Sequence, residues 1–293
     1  MFAYCADPHL LEGLSWLSCY VTTGKHMAFY QSFLTVMILL AVTAPAALLF
    51  GLVGAVGSRS SLVPIRALSK LYISLVRGVP DIVFFLFVPI ALDQAFEYAR
   101  HQIMCPDVLE PVRQGNDFVV CAVAKLPLNS APQWIHEIYG FALAVLSFAF
   151  VFGAFAGNTL RGAFDAVSHS QLETAAAYGM NKRQIFWRIW MPQMWVYALP
   201  GLSNLWMILI KATPLLFLLG VEDIVYWARE LGSMKTNAFS YPHPDWRLWY
   251  FLALLLFYLG LTKVSEVAFR RLMNRYTLGQ ATSAGKGQGQ VGR

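Results

Sequence analysis

Apolar and polar residues follow one another along this chain in long blocks. Residues 27–58, 138–160 and 189–210 contain no charged side chain, and 248–262 form a fourth uncharged block. A bilayer is crossed by roughly 20 apolar residues in a helix. The blocks therefore predict membrane helices over 29–56, 138–157, 195–219 and 248–267. A weaker fifth span, 71–92, is interrupted by Arg77 and Asp81. Charge is costly in lipid, so this helix needs polar neighbours or a start among the headgroups. Pro45 is expected to kink the first span.

Between the first two spans the period changes. Leu62, Ile65, Leu68, Leu71, Tyr72 and Leu75 recur at helical spacing, with Arg66 and Lys70 on another face. This predicts an amphipathic helix at the membrane surface. Arg77-Gly78-Val79-Pro80-Asp81 then breaks the chain. Pro80 suits the first turn of the next helix, and Asp81 complements its positive N-terminus. Gly153 and Gly157, four apart, permit close helix contact, read as ordinary small-residue packing. Trp246, Trp249 and Tyr250 form an aromatic anchor where the last span begins.

Composition sharpens this reading. Hydrophobic residues make up 57% of the chain and charged residues 13%, about half the ~25% of soluble domains. The net charge of +6 would suit nucleic acid, but its placement argues for a membrane. Lys and Arg concentrate beside the spans on one side, as at Arg59, Arg66, Lys70, Arg77, Lys182, Arg183 and Arg188. Positive charge resists translocation, so that side is expected inside, with the N-terminus outside and the C-terminus inside. All four cysteines, Cys5, Cys19, Cys105 and Cys121, then lie outside. An oxidising compartment permits Cys5–Cys19 and Cys105–Cys121 disulfides. Free thiols are the alternative, since sequence does not fix pairing. The first 26 residues lack the pattern of a cleavable signal peptide.

The fold class expected is all-α, a polytopic membrane protein of about five spans. Residues 1–28 are an outer lead-in and 29–278 the membrane domain. Within it, 93–137 are a polar outer insert and 158–192 an inner segment. Residues 279–293, rich in Gly, Gln and Ser, are expected to be a disordered tail.

The inner segment carries the sharpest local signal. Ser170 and Glu173 have capping-box spacing. Ala175, Ala176 and Ala177 favour helix and offer a smooth face. Gly179 sits where a left-handed cap ends a helix, and Asn181 with Gln184 can start another. Two short helices joined by a glycine between membrane spans predict a docking device.

Glu173-Thr-Ala-Ala-Ala-Tyr-Gly179 followed by Ile189-Trp-Met-Pro192 resembles the EAA motif of ABC importer permeases. Leu75-Val-Arg-Gly-Val-Pro-Asp81, Thr159-Leu-Arg-Gly-Ala-Phe164, Ala198-Leu-Pro-Gly201 and Leu219-Gly-Val-Glu-Asp223 resemble the polar-amino-acid branch, nearest to permeases for histidine, lysine, arginine, ornithine and opines. The resemblance covers most of 29–278. Thr174 stands where the motif usually has alanine, and the 93–137 insert is longer than usual.

This resemblance implies a type I permease fold in a bacterial inner membrane, moving polar, basic amino acids or opines by alternating access. It implies that Ser170, Glu173, Ala175, Ala176, Gly179 and Pro192 couple to an ATPase. The implied partners are two ATPase subunits, a second similar or identical permease and a periplasmic substrate-binding protein. Arg77, Gly78 and Pro80 are implied as an architectural break. ATP and Mg would be held by the partner, with no cofactor, metal or nucleic acid bound by this chain.

Asp81, Lys211, Glu222 and Asp223 are charges at membrane depth and candidates for a substrate path. Snorkelling and mutual pairing are the alternatives, as is an Arg77–Asp81 pair within one helix. There is no phosphate-cradling Gly-Lys-Ser loop. His101 with Cys105, and His243 with Asp245, are incomplete metal sets. A membrane-embedded enzyme or anchor, or a standalone channel, remain as alternative functions.

Overall fold

A computed structural model describes residues 5, 11–107, 112–114, 117–119, 121, 123–126, 130–219 and 221–277 of the 293. The expected 279–293 tail and much of the lead-in before residue 11 lie outside the described residues. Among the described residues the regular elements are helices, apart from a short hairpin and an isolated Lys235–His243 bridge. Helix α1 is Gly13–Val21, α2 Gly24–Gly57, α3 Val63–Gly78 and α4 Asp81–Met104. Strands β1 (Val112–Gln114) and β2 (Asp117–Val119) pair antiparallel, Val112 opposite Val119. Helix α5 is Gln133–Ala166, α6 His169–Ala177, α7 Lys182–Ile185, α8 Met191–Ala212, α9 Ile224–Gly232 and α10 Arg247–Thr277. A π-helical turn, Phe186–Trp190, joins α7 to α8, and a 3-10 turn, Thr213–Leu219, follows α8.

Five helical stretches are long and apolar enough to cross a membrane: Gly24–Gly57, Asp81–Met104, Gln133–Ala166, Lys182–Leu216 and Arg247–Tyr276. Three of them, Gly24–Gly57, Gln133–Ala166 and Arg247–Tyr276, outrun their expected bounds at both ends because polar first and last turns continue the helix beyond the uncharged block; Lys182–Leu216 starts earlier than expected and ends three residues sooner. Helix α2 runs on through Pro45. The weak fifth span starts at Asp81, and the preceding amphipathic segment is the separate helix α3. Pro80 is the extended residue that caps α4 rather than part of its first turn. Arg77 therefore stands on a different helix from Asp81, and among the described residues the two form no ion pair.

The alternating spans place α1, the β1–β2 hairpin and α9 at one end of the bundle, and α3, α6 and α7 at the other. A seam of small residues holds the spans together. A Cβ at Gly51 would lie 2.8 Å from that of Ala156, and one at Gly153 would lie 2.5 Å from that of Phe50. Gly201 in α8 meets the Thr159 methyl of α5 in the same way. Helices without hydrophobic drive in lipid gain from such close approach. Beside this seam sits the main core, in which Phe85 of α4 stacks on Phe148 of α5 at 4.5 Å between ring centres. A second cluster, Ala55, Leu160, Phe164, Val167, Met194 and Ala198, fills the α6 end.

Candidate functional site

The segment from Ser168 to Pro192 emerges as two short helices folded against the α5–α8 turn. The expected capping box at Ser170 does not form, and the cap position falls two residues earlier. Helix α6 begins at His169, its cap residue is Ser168, and no side chain caps it. Ser170 lies inside the first turn, where its hydroxyl meets that of Ser168 at 2.7 Å. A helix accepts Ser, Thr or Asp at several starting positions, and Ser168 competes with Ser170 for the role. Thr174 donates its hydroxyl to the Ser170 carbonyl at 2.7 Å, so the departure from alanine is satisfied within the helix.

The end of α6 matches expectation in detail. Gly179 has φ of 81°. Gly179 N donates to Ala176 O at 2.9 Å and Met180 N to Ala175 O at 3.2 Å. These two bonds, with a left-handed residue just past the cap, make a Schellman motif. Asn181 then caps α7. Its side chain accepts from Gln184 N, and the Gln184 side chain accepts from Asn181 N, both at 2.9 Å. Glycine thus reverses the chain, and a capping box restarts it.

Helix α6 is attached by one narrow face. Ala175 is buried, and Leu172 packs on the second cluster beside Phe186 and Trp190. Glu173, Ala176 and Pro192 are exposed, and Tyr178 is 85% exposed. Beneath them Trp190 Nε1 donates to Phe164 O at 3.1 Å. Arg59, from the α2–α3 turn, pairs with Asp165 and lies 5.5 Å and 5.3 Å over the Phe164 and Trp190 rings. A charged lid of this kind, over aromatic faces, fixes the base on which α6 stands.

The opposite end is built differently. Cys5–Cys19 and Cys105–Cys121 are disulfides. The first sits with Tyr20 and Tyr241 in a small buried cluster flanked by Trp16 and Trp246. Tyr20 Oη lies 2.9 Å from His243 Nε2, while His243 Nδ1 lies 2.7 Å from the Pro244 carbonyl. A carbonyl only accepts, so Nδ1 carries a proton, and the single Tyr20 hydroxyl proton is shared between His243 Nε2 and the Leu231 carbonyl at 3.2 Å. Burial pushes the Tyr20 hydroxyl well above its ordinary range. The second disulfide ties the insert to α4, where Cys121 N donates to His101 Nδ1 and Leu126 N to Glu97 Oε1. His101, Cys105 and Cys121 do converge within 4.8 Å, but the disulfide occupies both sulfurs. His243 with Asp245 forms no metal set either, because Asp245 pairs with Arg247, which holds its carboxyl down at about 2.

The four charges expected along a substrate path are not brought together. Asp81 opens α4 at the α6 end, whereas Glu222 and Asp223 precede α9 at the other. Lys211 is exposed in the last turn of α8, with no ion-pair partner among the described residues. Asp223 is fully buried and caps α9 by accepting from Val225 N and Tyr226 N at 3.1 and 2.9 Å. Its other oxygen has no hydrogen-bond partner among the described residues, and burial raises the carboxyl to about 6 despite those bonds. It is a cap and not a partner of Glu222.

Glu222 instead faces a cavity of about 610 Å³ between α2, α5 and α9. Gln31 and Thr35 of α2, His136 and Glu137 of α5, and Trp227 of α9 share its wall. Two carboxylates, hydrogen-bonding side chains and an indole suit a cationic, polar guest. Sequence reasoning missed Gln31, His136 and Glu137. They come from the uncharged first block and the edge of the insert, and only folding puts them beside Glu222.

Comparisons with known proteins agree with this architecture. Residues 47–277 match the family described as binding-protein-dependent transport system inner membrane component. The histidine/lysine/arginine/ornithine transport system permease protein HisQ of Escherichia coli is 32% identical over 234 residues, covering 80% of this chain and 86% of HisQ. The arginine ABC transporter permease protein ArtQ of Haemophilus influenzae is 39% identical over 141 residues, 48% of this chain; the match spans 60% of that relative's length. A crystal structure of an amino acid ABC transporter with histidines superposes with a TM-score of 0.57 at 19% identity, covering 89% of this chain and 99% of that one. The motif-bearing α6 segment, the five apolar spans and a match over most of the chain lead to one assignment: this is a multi-pass inner membrane protein belonging to the binding-protein-dependent transport system inner membrane component family.

Proposed function

We propose that this chain is the permease subunit of an ATP-driven importer that passes polar, basic amino acids or opines across the inner membrane by alternating access. The carrying observation is the α6 handle, a short helix closed by Gly179 and held on its buried face by Leu172 and Ala175. Its exposed side, with Glu173 and Ala176, would seat in a groove of an ATP-hydrolysing subunit that binds ATP and Mg. Ser170, Thr174 and Pro192 shape the handle and its exit.

The α9 end would face the periplasm and the α6 end the cytoplasm, placing the N-terminus outside and the C-terminus inside. The disulfides at the α9 end support this, since such bonds persist in oxidising compartments. A periplasmic binding protein would deliver substrate at that end, and a second similar or identical permease would complete the path. The cavity with Glu137 and Glu222 supports a cationic guest. Asp81 and Lys211 would act elsewhere on the path, and Arg77, Gly78 and Pro80 would serve the break between α3 and α4. The family placement favours this reading over a membrane-embedded enzyme or standalone channel.

The test is uptake by proteoliposomes holding the permease pair, its ATPase and its binding protein. A panel of arginine, histidine, octopine and glutamine should show ATP-dependent uptake that favours the cations. Uptake without ATP, or equal uptake of glutamine, would contradict the proposal.

A further inference from the structure

Helix α3 divides into three faces. At 3.6 residues per turn, Tyr72, Ile73 and Val76 form one. Ile73 and Val76 are buried, and the Tyr72 hydroxyl donates to the Phe150 carbonyl of α5 at 2.6 Å. At the α2–α3 turn, Gly57 lies directly against the Ser69 side chain. The helix is thereby fixed in rotation.

A second face carries Leu68, Leu71 and Leu75, which are 69%, 58% and 49% exposed. A third carries Arg66, Lys70 and Arg77 at spacings of four and seven residues, within an arc of roughly 40°. Lys70 and Arg77 are exposed and Arg66 partly so. Among the described residues none of the three has an ion-pair partner, although Arg59 nearby does. No acidic residue occurs from Arg59 to Pro80. One exposed flank is therefore apolar, the other is purely cationic, and packing on α5 locks both in place.

We propose that α3 lies at the headgroup level of the bilayer and that Arg66 and Lys70, extended by Arg77, bind the phosphates of anionic phospholipids. Leucine on one flank enters the acyl boundary, and long cationic side chains on the other reach the headgroups. Charge complementarity selects an anionic lipid over a zwitterionic one. This site is separate from the substrate cavity and does not depend on the transported molecule.

The experiment measures phosphatidylglycerol and phosphatidylcholine binding to the purified full-length chain by native mass spectrometry. Phosphatidylglycerol should be retained preferentially. Arg66→Gln with Lys70→Gln should weaken that retention by roughly fivefold per cation removed. The charge-preserving exchange Arg66→Lys with Lys70→Arg should retain it, which separates charge from misfolding. Lys182→Gln with Arg183→Gln, the same charge change elsewhere at that end, should leave it intact. Equal loss in this control, no preference between lipids, or displacement by glycerol phosphate as readily as by lipid would overturn the proposal. So would crosslinks from Lys70 in native membranes that capture protein and no lipid.

Discussion

The two ends of the bundle are held by different chemistry. At the α9 end, disulfides, stacked aromatic rings and directional hydrogen bonds hold α1, α9 and the segment before α10 together and tie the described part of the insert to α4. His243 stacks on Trp246 at 4.4 Å, and Glu230 meets both Lys25 and Lys235 at 2.8 and 3.2 Å, with Lys25 chiefly holding its carboxyl below the usual range. At the α6 end the connections are short and rest on one hydrophobic cluster, and polar side chains are left facing outward. The contrast teaches a division of labour. The α9 end is braced around the cavity lined by Glu137 and Glu222, whereas the α6 end presents the exposed face of a short helix.

The largest effect should come from breaking the handle without touching the spans. At Gly179 a Cβ would meet nothing within 4 Å, so only its backbone φ resists substitution. A β-branched side chain there costs roughly 1–2 kcal/mol. Gly179→Val should reduce ATP-driven uptake at least tenfold while membrane yield, read by immunoblot, stays normal.

Next comes the locked end. Cys19→Ser opens a loop with sequence separation of 14 and should lower stability by about 2–4 kcal/mol. Tryptophan fluorescence during thermal unfolding would show it, and reductant should then shift the variant less than the wild type.

Asp223 sharpens the comparison through pH. Its folded carboxyl titrates at about 6 and its unfolded one near 3.8. Between those values the folded state binds the proton and the unfolded state does not. This group's contribution to stability should therefore be fully present below about pH 4 and be lost as pH rises through 6, by about 3 kcal/mol. Asp223→Asn, which can still cap α9, should flatten that part of the profile.

The smallest effect should be at Arg59. Its pair with Asp165 is partly solvated, with side-chain exposures of 28% and 61%. Arg59→Gln should cost no more than about 1 kcal/mol and slow uptake modestly, through a looser base under α6.

Much of this division was legible in the chain. Long uncharged blocks leave a buried helix little alternative, so α2, α5, α8 and α10 could be read directly. Gly179 and the Asn181–Gln184 box were legible because each acts through its own backbone. Ser170 was misread because Ser168 offers the same chemistry two residues earlier. Asp223 looked like a pathway charge because nothing in sequence shows that its carboxylate turns back onto α9. The cavity joining Gln31, Glu137 and Glu222, and the Arg59 contact with Trp190, depend on residues far apart in the chain. No local pattern encodes those meetings.

The central claim is that the exposed side of α6 is a partner surface, and one measurement addresses it most directly. A photocrosslinking residue at Ala176, in cells carrying the complete transport system, should capture an ATP-binding subunit, with the same probe at Leu14 of α1 as the control. Capture at Ala176 and not at Leu14 is the expected result. Crosslinks from Ala176 only to lipid, or equal capture of that subunit from Leu14, would contradict it.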